Sequence, residues 1–247
     1  MPNFVSFSHA RRVDCRVIGR NTNHTFHSKI THCKMKKNLN NVTLLGIDCL
    51  DINRIHRAMT VCTYYCDFYD IKILSSLKHP DNPYIHPIKH ILNINEYSKF
   101  MIKELNNHFE SDYVLIFQHD GFILNPNAWR DEFFEYDYIG AVWWADEDYF
   151  INTPRNIKGM GNGGFSLRSK KLCAILQNEN IICDGAEDYI ICTKYREQLE
   201  SLGVKFAPIE VAEQFSVEYK PYNNEFGFHQ LRFTNIENWE DKELFGY

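Results

Sequence analysis

The run Tyr113-Val-Leu-Ile-Phe117 constrains the fold more than any other stretch of this chain. An unbroken apolar run, rather than an alternating one, suits a strand buried on both faces. It stops at Gln118-His-Asp-Gly121, whose Asp-Gly step makes a turn. A strand covered on both sides needs helices above and below it, and the sequence on either side must supply them.

It does. Val42-Thr-Leu-Leu-Gly-Ile-Asp-Cys49 reads as a second buried strand, and Asp51 is a good N-cap for a helix carrying Ile52, Ile55, Met59 and Cys62 at helical spacing. Ile71–Leu74 predicts another strand. Tyr97, Met101, Leu105 and His108/Phe109 predict a helix. After the central strand come a helical stretch over 127–136, a strand over 138–142, and a strand over 164–167. A helix over 170–177, a helix from Glu187 to about Ser201 and a short strand over 204–206 complete the pattern. This alternation predicts an α/β fold, a mostly parallel, Rossmann-like sheet flanked by helices in a single domain over 42–247. With 247 residues and 44% hydrophobic content, one sizeable core is expected. In such sheets ligands bind outside the carboxyl ends of the strands.

Charge is unevenly placed. Residues 1–41 hold eight Lys/Arg (Arg11, Arg12, Arg16, Arg20, Lys29, Lys34, Lys36 and Lys37) against the single acid Asp14, while the whole chain carries −5. The basic segment is expected to be a poorly ordered tail; a targeting peptide or an arm for an anionic surface are the other readings. The body is therefore acidic, which argues against a nucleic-acid enzyme with a basic groove. No apolar run reaches the roughly 18 residues of a membrane span, and no secretory signal is expected. The eight cysteines are scattered without a Cys-x-x-Cys pair, so reduced thiols and a cytoplasmic location are expected.

Four constellations carry potential chemistry. Asp120 closes the central strand and could hold a hard divalent cation, although a plain Asp-Gly turn explains it too. Gly159-Met-Gly-Asn-Gly-Gly164 precedes its strand instead of following one, so it is no dinucleotide fingerprint, and it lacks the Gly-Lys-Ser/Thr ending of a P-loop. Its glycines, with positive φ, could let backbone approach a ligand, or could form a tight turn. Asp184-Gly-Ala-Glu-Asp188 puts two adjacent carboxylates at a helix start. There the dipole favours acids without catalysis, or one acid serves as a general base. Phe226-Gly-Phe-His229 offers an imidazole that is either packed or a metal ligand complementing Asp120.

In order, these elements resemble the catalytic core of GT-A-fold glycosyltransferases. More narrowly, "LIFQHDGFILNPNAW", "YDYIGAVWW", "GNGGFSLRS", "EDYIIC", "FAPIEVAEQFSVE" and "FGFH" resemble an uncharacterised GT-A-like family of bacterial surface-polysaccharide clusters and giant viruses. The resemblance spans about residues 42–231. It implies a hexosyltransferase-like enzyme that moves a sugar from a nucleoside diphosphate sugar, UDP-linked first, to a hydroxyl of a glycan or glycoconjugate, with inversion and with Mn2+ or Mg2+. It assigns Asp120 and His229 to the metal, and Gln118, Gly163 and Gly164 to substrate. Asp188 becomes the catalytic base with Glu187 beside it. The departure is Gln118, a neutral amide in the place of the first Asp of the Asp-x-Asp motif. It is a weaker metal ligand but can hydrogen-bond a ribose or uracil group. Trp143 and Trp144 could stack on an acceptor sugar, with core burial the alternative. Asp48 lies where the donor nucleotide is expected. Two other readings stay open: a nucleotidyl or phosphoryl transferase using Asp120, and an inactive carbohydrate-binding or scaffold protein on the same fold.

Overall fold

The computed structural model describes residues 36–79, 81–143 and 159–247. Residues 1–35, most of the basic segment, lie outside them, as does Trp144.

Strand β1 (Lys37–Ile47) starts ahead of the apolar run that marks it in the sequence, and its register slips between Leu39 and Thr43. Helix α1 (Ile52–Tyr65) follows, with Asp51 accepting the Asn53 N–H as its cap. The helix then turns directly into β2 (Cys66–Ser75). The short β3 (Ile85–Pro87) precedes α2 (Ile94–Lys103), capped by Asn93 through the Asn95 and Glu96 N–H groups. The expected central strand is β4 (Tyr113–Phe117). Then come β5 (Tyr138–Ile139), β6 (Val142–Trp143), β7 (Gly159–Met160), β8 (Ser166–Ser169) and α3 (Lys170–Asn178).

The main sheet has six strands in the order β3-β2-β1-β4-β8-β5. The first four run parallel, and β8 runs antiparallel to both β4 and β5. Alternate side chains enter two cores. Leu44, Leu115 and Phe117 pack with α1 on one face; Leu45, Val114 and Ile116 pack with Phe100 and Met101 of α2 and Cys173 of α3 on the other. The mixed α/β class with a mostly parallel sheet between helices is therefore as expected.

Two helical expectations change in detail. The stretch 127–136 forms two short 3-10 turns, Pro126–Ala128 and Asp131–Glu135. The helix from Glu187 is broken into α4 (Glu187–Tyr189), a π turn over Ile190–Lys194 and α5 (Arg196–Ser201). The π turn shows in the Tyr195 N–H donating to Ile190 O at 2.9 Å, five residues back. Such widened turns gather at functional sites. Val204–Phe206 does not form a strand; Phe206 makes a single bridge to Tyr138. The chain ends with α6 (Ile209–Phe215), β9 (Ser216–Val217), β10 (Gly227–Phe228) and α7 (Leu231–Thr234). The described cysteines are free, and five of the six are buried.

Candidate functional site

The antiparallel run of β8 builds the site. Ile116 of β4 pairs with Ser166, so the beginning of β8 lies beside the end of β4. The glycine loop before β8 is thereby delivered to the same sheet edge as Gln118-His-Asp-Gly121. The 118–121 turn closes on itself, with Gln118 N–H donating to Gly121 O at 3.0 Å and the reverse bond at 3.2 Å. Beyond it, Ile123 bridges Gly227, and the Leu124 N–H donates to Phe226 O. These contacts bring His229 next to Asp120, and the Gln230 N–H closes the corner on Asp120 O at 2.7 Å. Parallel pairing of β10 with β9 adds Glu218.

His229 is buried among polar partners. Its Nδ1 lies 3.0 Å from Glu218 Oε1, and its Nε2 lies 3.2 Å from Gln118 Oε1 and 3.8 Å from Asp120 Oδ1. Burial opposes a charge on the ring, but the hydrogen bond and charge of Glu218, with Asp120 and Asp188 further off, outweigh it. The imidazole is therefore held above its usual pKa. In the charged form Nδ1–H donates to Glu218 and Nε2–H to Gln118. Asn162 Oδ1 accepts the Gly164 and Phe165 N–H groups, which leaves its Nδ2 facing Nδ1 at 2.9 Å as a donor that only an unprotonated Nδ1 accepts. Gln118 Nε2 donates to Tyr97 OH at 3.2 Å. Tyr219 and Gln230, next to Glu218 and His229, both take positive φ, +57° and +66°. For such residues this is a strained backbone region, often found at functional sites. Gln230 Nε2 donates to Glu218 Oε1 and to Tyr219 OH, which ties the two strained residues together.

The cation-binding capacity of this corner can be judged from its donors. Asp120 Oδ1 is buried and makes no hydrogen bond, with the imidazole nitrogens His119 Nδ1 at 3.4 Å and His229 Nε2 at 3.8 Å from it. Opposite it stand an imidazole nitrogen and an amide oxygen. Hard divalent cations take carboxylate and carbonyl oxygens, and manganese accepts imidazole as well. Among the described residues no group of three or more His, Cys, Asp or Glu side chains is arranged to hold a metal. Asp120 and His229 would therefore need Gln118 as a third protein donor, and His229 could serve only after Nε2 gives up the proton it shares with Gln118. The carboxylate on the far nitrogen of the imidazole is the usual orienting partner of a metal-binding histidine. Glu218 thus joins the candidate corner, although the motifs in the sequence do not single it out.

The glycine loop meets both halves of the site. A Cβ on Gly164 would sit 2.1 Å from His229 Nε2, and one on Gly163 would sit 2.1 Å from Glu187 Oε1. The expected positive φ is absent here; among the described glycines only Gly203 and Gly246 have it. These glycines are needed for the missing side chain, not for a left-handed turn. Gly163 N–H donates to Asp188 Oδ2 at 3.0 Å, and Tyr189 N–H to Asp188 Oδ1 at 2.8 Å. Burial and the neighbouring charge of Glu187 nevertheless push the Asp188 carboxyl up to about 7. Glu187 points the other way, as adjacent helical residues must. It is 4% exposed and accepts from Arg168 Nη2 at 2.8 Å. Arg168 is fully buried and also donates from Nε to Ser166 Oγ, with its guanidinium 5.1 Å from the Tyr138 ring. A buried pair of this kind holds geometry more than it adds stability. Glu187 therefore positions Gly163 and the Asp188 helix start and does not itself face the site.

Trp143 is 8% exposed, with its ring where a Cβ on Gly161 would be, 2.2 Å from Cη2. It packs in the core beneath the loop instead of offering a stacking face. At the end of β1, Asp48 is saturated by Arg54 Nε (2.6 Å) and Nη2 (3.1 Å) and by the Leu50 and Asp51 N–H groups. Burial would raise its carboxyl, but these donors hold it below its ordinary range. Asp48 thus shapes the strand–helix turn, and Asp51 is the cap already named.

A family model covers residues 85–229, which take in Gln118, Asp120, the glycine loop, Glu187, Asp188, Glu218 and, as its last residue, His229. The chain belongs to the family described as "Protein of unknown function (DUF5672)". No curated protein matches it. Among solved structures this family member is similar to "Mannosyltransferase PcManGT from Pyrobaculum calidifontis in complex with GDP-Man and Mn2+", at 10% identity and a TM-score of 0.42. The similarity covers 68% of this chain and 54% of that one, so the chain spans about half the length of that protein.

Proposed function

We propose that the protein is a glycosyltransferase that moves a sugar from a nucleoside diphosphate sugar to an acceptor hydroxyl, with inversion. One observation carries this reading: the Asp188 carboxylate and the His229 ring of the Asp120–His229 corner lie against the two adjacent residues Gly163 and Gly164. A base and a cation-binding corner set so close suit a reaction in which a proton is removed at one end and a diphosphate leaves at the other.

In this mechanism the acceptor O–H gives its proton to Asp188. Each Asp188 oxygen already takes one backbone N–H, which leaves a second lone pair on each. The acceptor oxygen bonds to the anomeric carbon from the face opposite the leaving group. The bond from that carbon to the phosphate oxygen breaks, and its electron pair leaves with the nucleoside diphosphate. The transition state resembles an oxocarbenium ion, as in glycoside hydrolysis. Asp120, His229 and Gln118 would hold a divalent cation, Mn2+ or Mg2+, whose contribution is to neutralise charge on the leaving diphosphate. Glu218 keeps the His229 ring turned to present Nε2 to that position. General-base help is worth roughly 10²–10⁴-fold in rate.

The active domain is proposed to span 42–247, with the basic segment before it outside the chemistry. A glycan or glycoconjugate is the acceptor class and a UDP-sugar the first donor to try. The free, mostly buried cysteines suit a reducing, cytoplasmic setting. Among the described residues no helix is long and apolar enough to cross a membrane. The competing reading, a non-catalytic carbohydrate-binding or scaffold protein, draws on Gln118, whose amide is committed to Tyr97 and His229. Calorimetric titration of UDP with and without Mn2+ separates the two. Metal-dependent UDP binding supports the transferase, and absence of UDP binding in both conditions supports the scaffold.

A further inference from the structure

The mechanism leaves unused the residues that meet its site from the β1 side. β1 and β4 run parallel with Gly46 opposite Phe117, so the chain leaving β1 emerges beside Gln118-His-Asp120. A Cβ on Gly46 would sit 2.7 Å from both Ile55 Cδ1 and the Phe117 ring, which packs the first turn of α1 against the end of β4. Arg54 stands in that turn, one residue before Ile55. Ligands of such sheets bind outside the carboxyl ends of the strands. There the Arg54 side chain is 36% exposed, and those of His119 and Asp120 are partly exposed.

Arg54 is fixed in a way that frees one edge. Its Nε and Nη2 donate to Asp48 at 2.6 and 3.1 Å, and the Asp48 side chain, 3% exposed, also accepts the Leu50 and Asp51 N–H groups. The guanidinium carries five N–H donors in a rigid fork. Asp48 takes the Nε–Nη2 edge, and among the described residues the Nη1–Nη2 edge meets no acceptor. That edge matches two oxygens of a phosphate. The Asp48 hydrogen bond, with the charges of Asp48, Asp51 and Asp120, holds the group charged against the cost of burial. Other basic groups beside the motifs are committed: Arg168 to Glu187, Lys170 to the Asn106 and Phe109 carbonyls, Lys171 to Asp137. Asp51 and Asp120 repel a lone anion, so Arg54 must act together with a cation on Asp120. A diphosphate has oxygens for both.

We propose that Arg54 binds the diphosphate of the ligand through its Nη1–Nη2 edge, with Asp48 as the clamp that orients it. That this diphosphate belongs to a sugar donor rests on the glycosyl-transfer reading; phosphate binding by Arg54 does not. Calorimetry on the full chain tests it, with UDP, GDP and inorganic pyrophosphate as probes in the presence of Mn2+, and with Mn2+ titrated alone. At least one diphosphate should bind the wild type. Arg54→Lys keeps the charge but not the fork, and should weaken that diphosphate about ten- to a hundredfold, the worth of a charge-assisted hydrogen bond, with Mn2+ affinity unchanged. Asp48→Asn combined with Arg54→Gln leaves no charge unpaired, and should show the same loss even where Arg54→Lys fails to fold. No diphosphate binding to the wild type, or a diphosphate bound as tightly by either variant, overturns the proposal. So does a parallel fall in Mn2+ affinity, which would make Arg54 a support of the turn alone. Arg54-dependent diphosphate binding without sugar transfer from any nucleotide sugar retires the transferase reading and keeps the site. Sugar transfer with diphosphate affinity untouched by Arg54→Lys retires the site and keeps the transferase.

Discussion

Replacing Gly164 by Ala tests why the loop carries glycine. A Cβ there would lie 2.1 Å from His229 Nε2, 2.4 Å from Cδ2 and 2.5 Å from Cε1. The ring cannot simply retreat. Glu218 and Asn162 hold its Nδ1 edge, the His229 N–H is bonded to Val217 O at 2.9 Å, and Gly121 is closed against Cδ2. Overpacking of this kind costs about 1–3 kcal/mol. In a chain of this size each kcal/mol shifts Tm by about 2–4 °C, so scanning calorimetry should show a fall of about 2–12 °C. Gly185→Ala is the control, since nothing lies within 4 Å of its added carbon. The decisive comparison is the double variant. In a His229→Ala background the clash is gone, so Gly164→Ala should cost far less than in the wild type, a coupling of the kind expected for residues in contact. If Gly164→Ala lowers Tm equally in both backgrounds, or not at all, the steric account of the loop is wrong.

Four further outcomes follow from the same geometry. Asp188→Asn should reduce turnover by roughly 10²–10⁴-fold while nucleotide affinity is kept. Because the folded Asp188 carboxyl is raised from 3.8 to about 7, the wild type holds a proton there that the unfolded chain has lost. That contribution is full below about pH 4 and is lost as pH rises to 7. The Tm of Asp188→Asn relative to the wild type should therefore climb between pH 4 and 7, and a flat difference across that range refutes the raised pKa. Glu187→Gln should cost about 3–5 kcal/mol in urea unfolding by leaving the buried Arg168 without its charge partner, and adding Arg168→Met should recover part of it. Glu218→Gln should lower Mn2+ affinity about 10–100-fold by calorimetry through the loss of the oriented imidazole. Unchanged Mn2+ affinity in that variant would separate Glu218 from the His229 corner.

Strand β4, the Asp120 turn that follows it and the Asp51 cap were legible because each rests on local pattern: an apolar run, a turn dipeptide, a cap before helical spacing. The short elements were less so. The π turn after Asp188 and the 3-10 turns near Trp129 depend on packing that periodicity does not encode. The role of the glycines was misread for a physical reason. Sequence suggests φ freedom, but only the fold reveals which side chains must pass where a Cβ would be. For Trp143 the sequence leaves a stacking platform and core burial both open, because nothing in its neighbours marks the ring of contacts that buries it. Glu218 escaped notice although a signal existed, an acid following the apolar run Phe215-Ser-Val217. A charge in such a setting is either paired or functional, and here it is paired with His229. Glu187 and Asp188 were legible in this respect: adjacent residues at a helix start face different directions, and here they meet Arg168 and the Gly163 N–H.

The central claim is sugar transfer from a nucleoside diphosphate sugar with Asp188 as base. The most direct measurement is nucleoside diphosphate release across a panel of nucleotide sugars, with Mn2+ and a glycoside acceptor, in the wild type and in Asp188→Asn. The account predicts acceptor-dependent release with at least one donor, and its loss in Asp188→Asn. Release that persists at the wild-type rate in that variant, or no release with any donor, contradicts it.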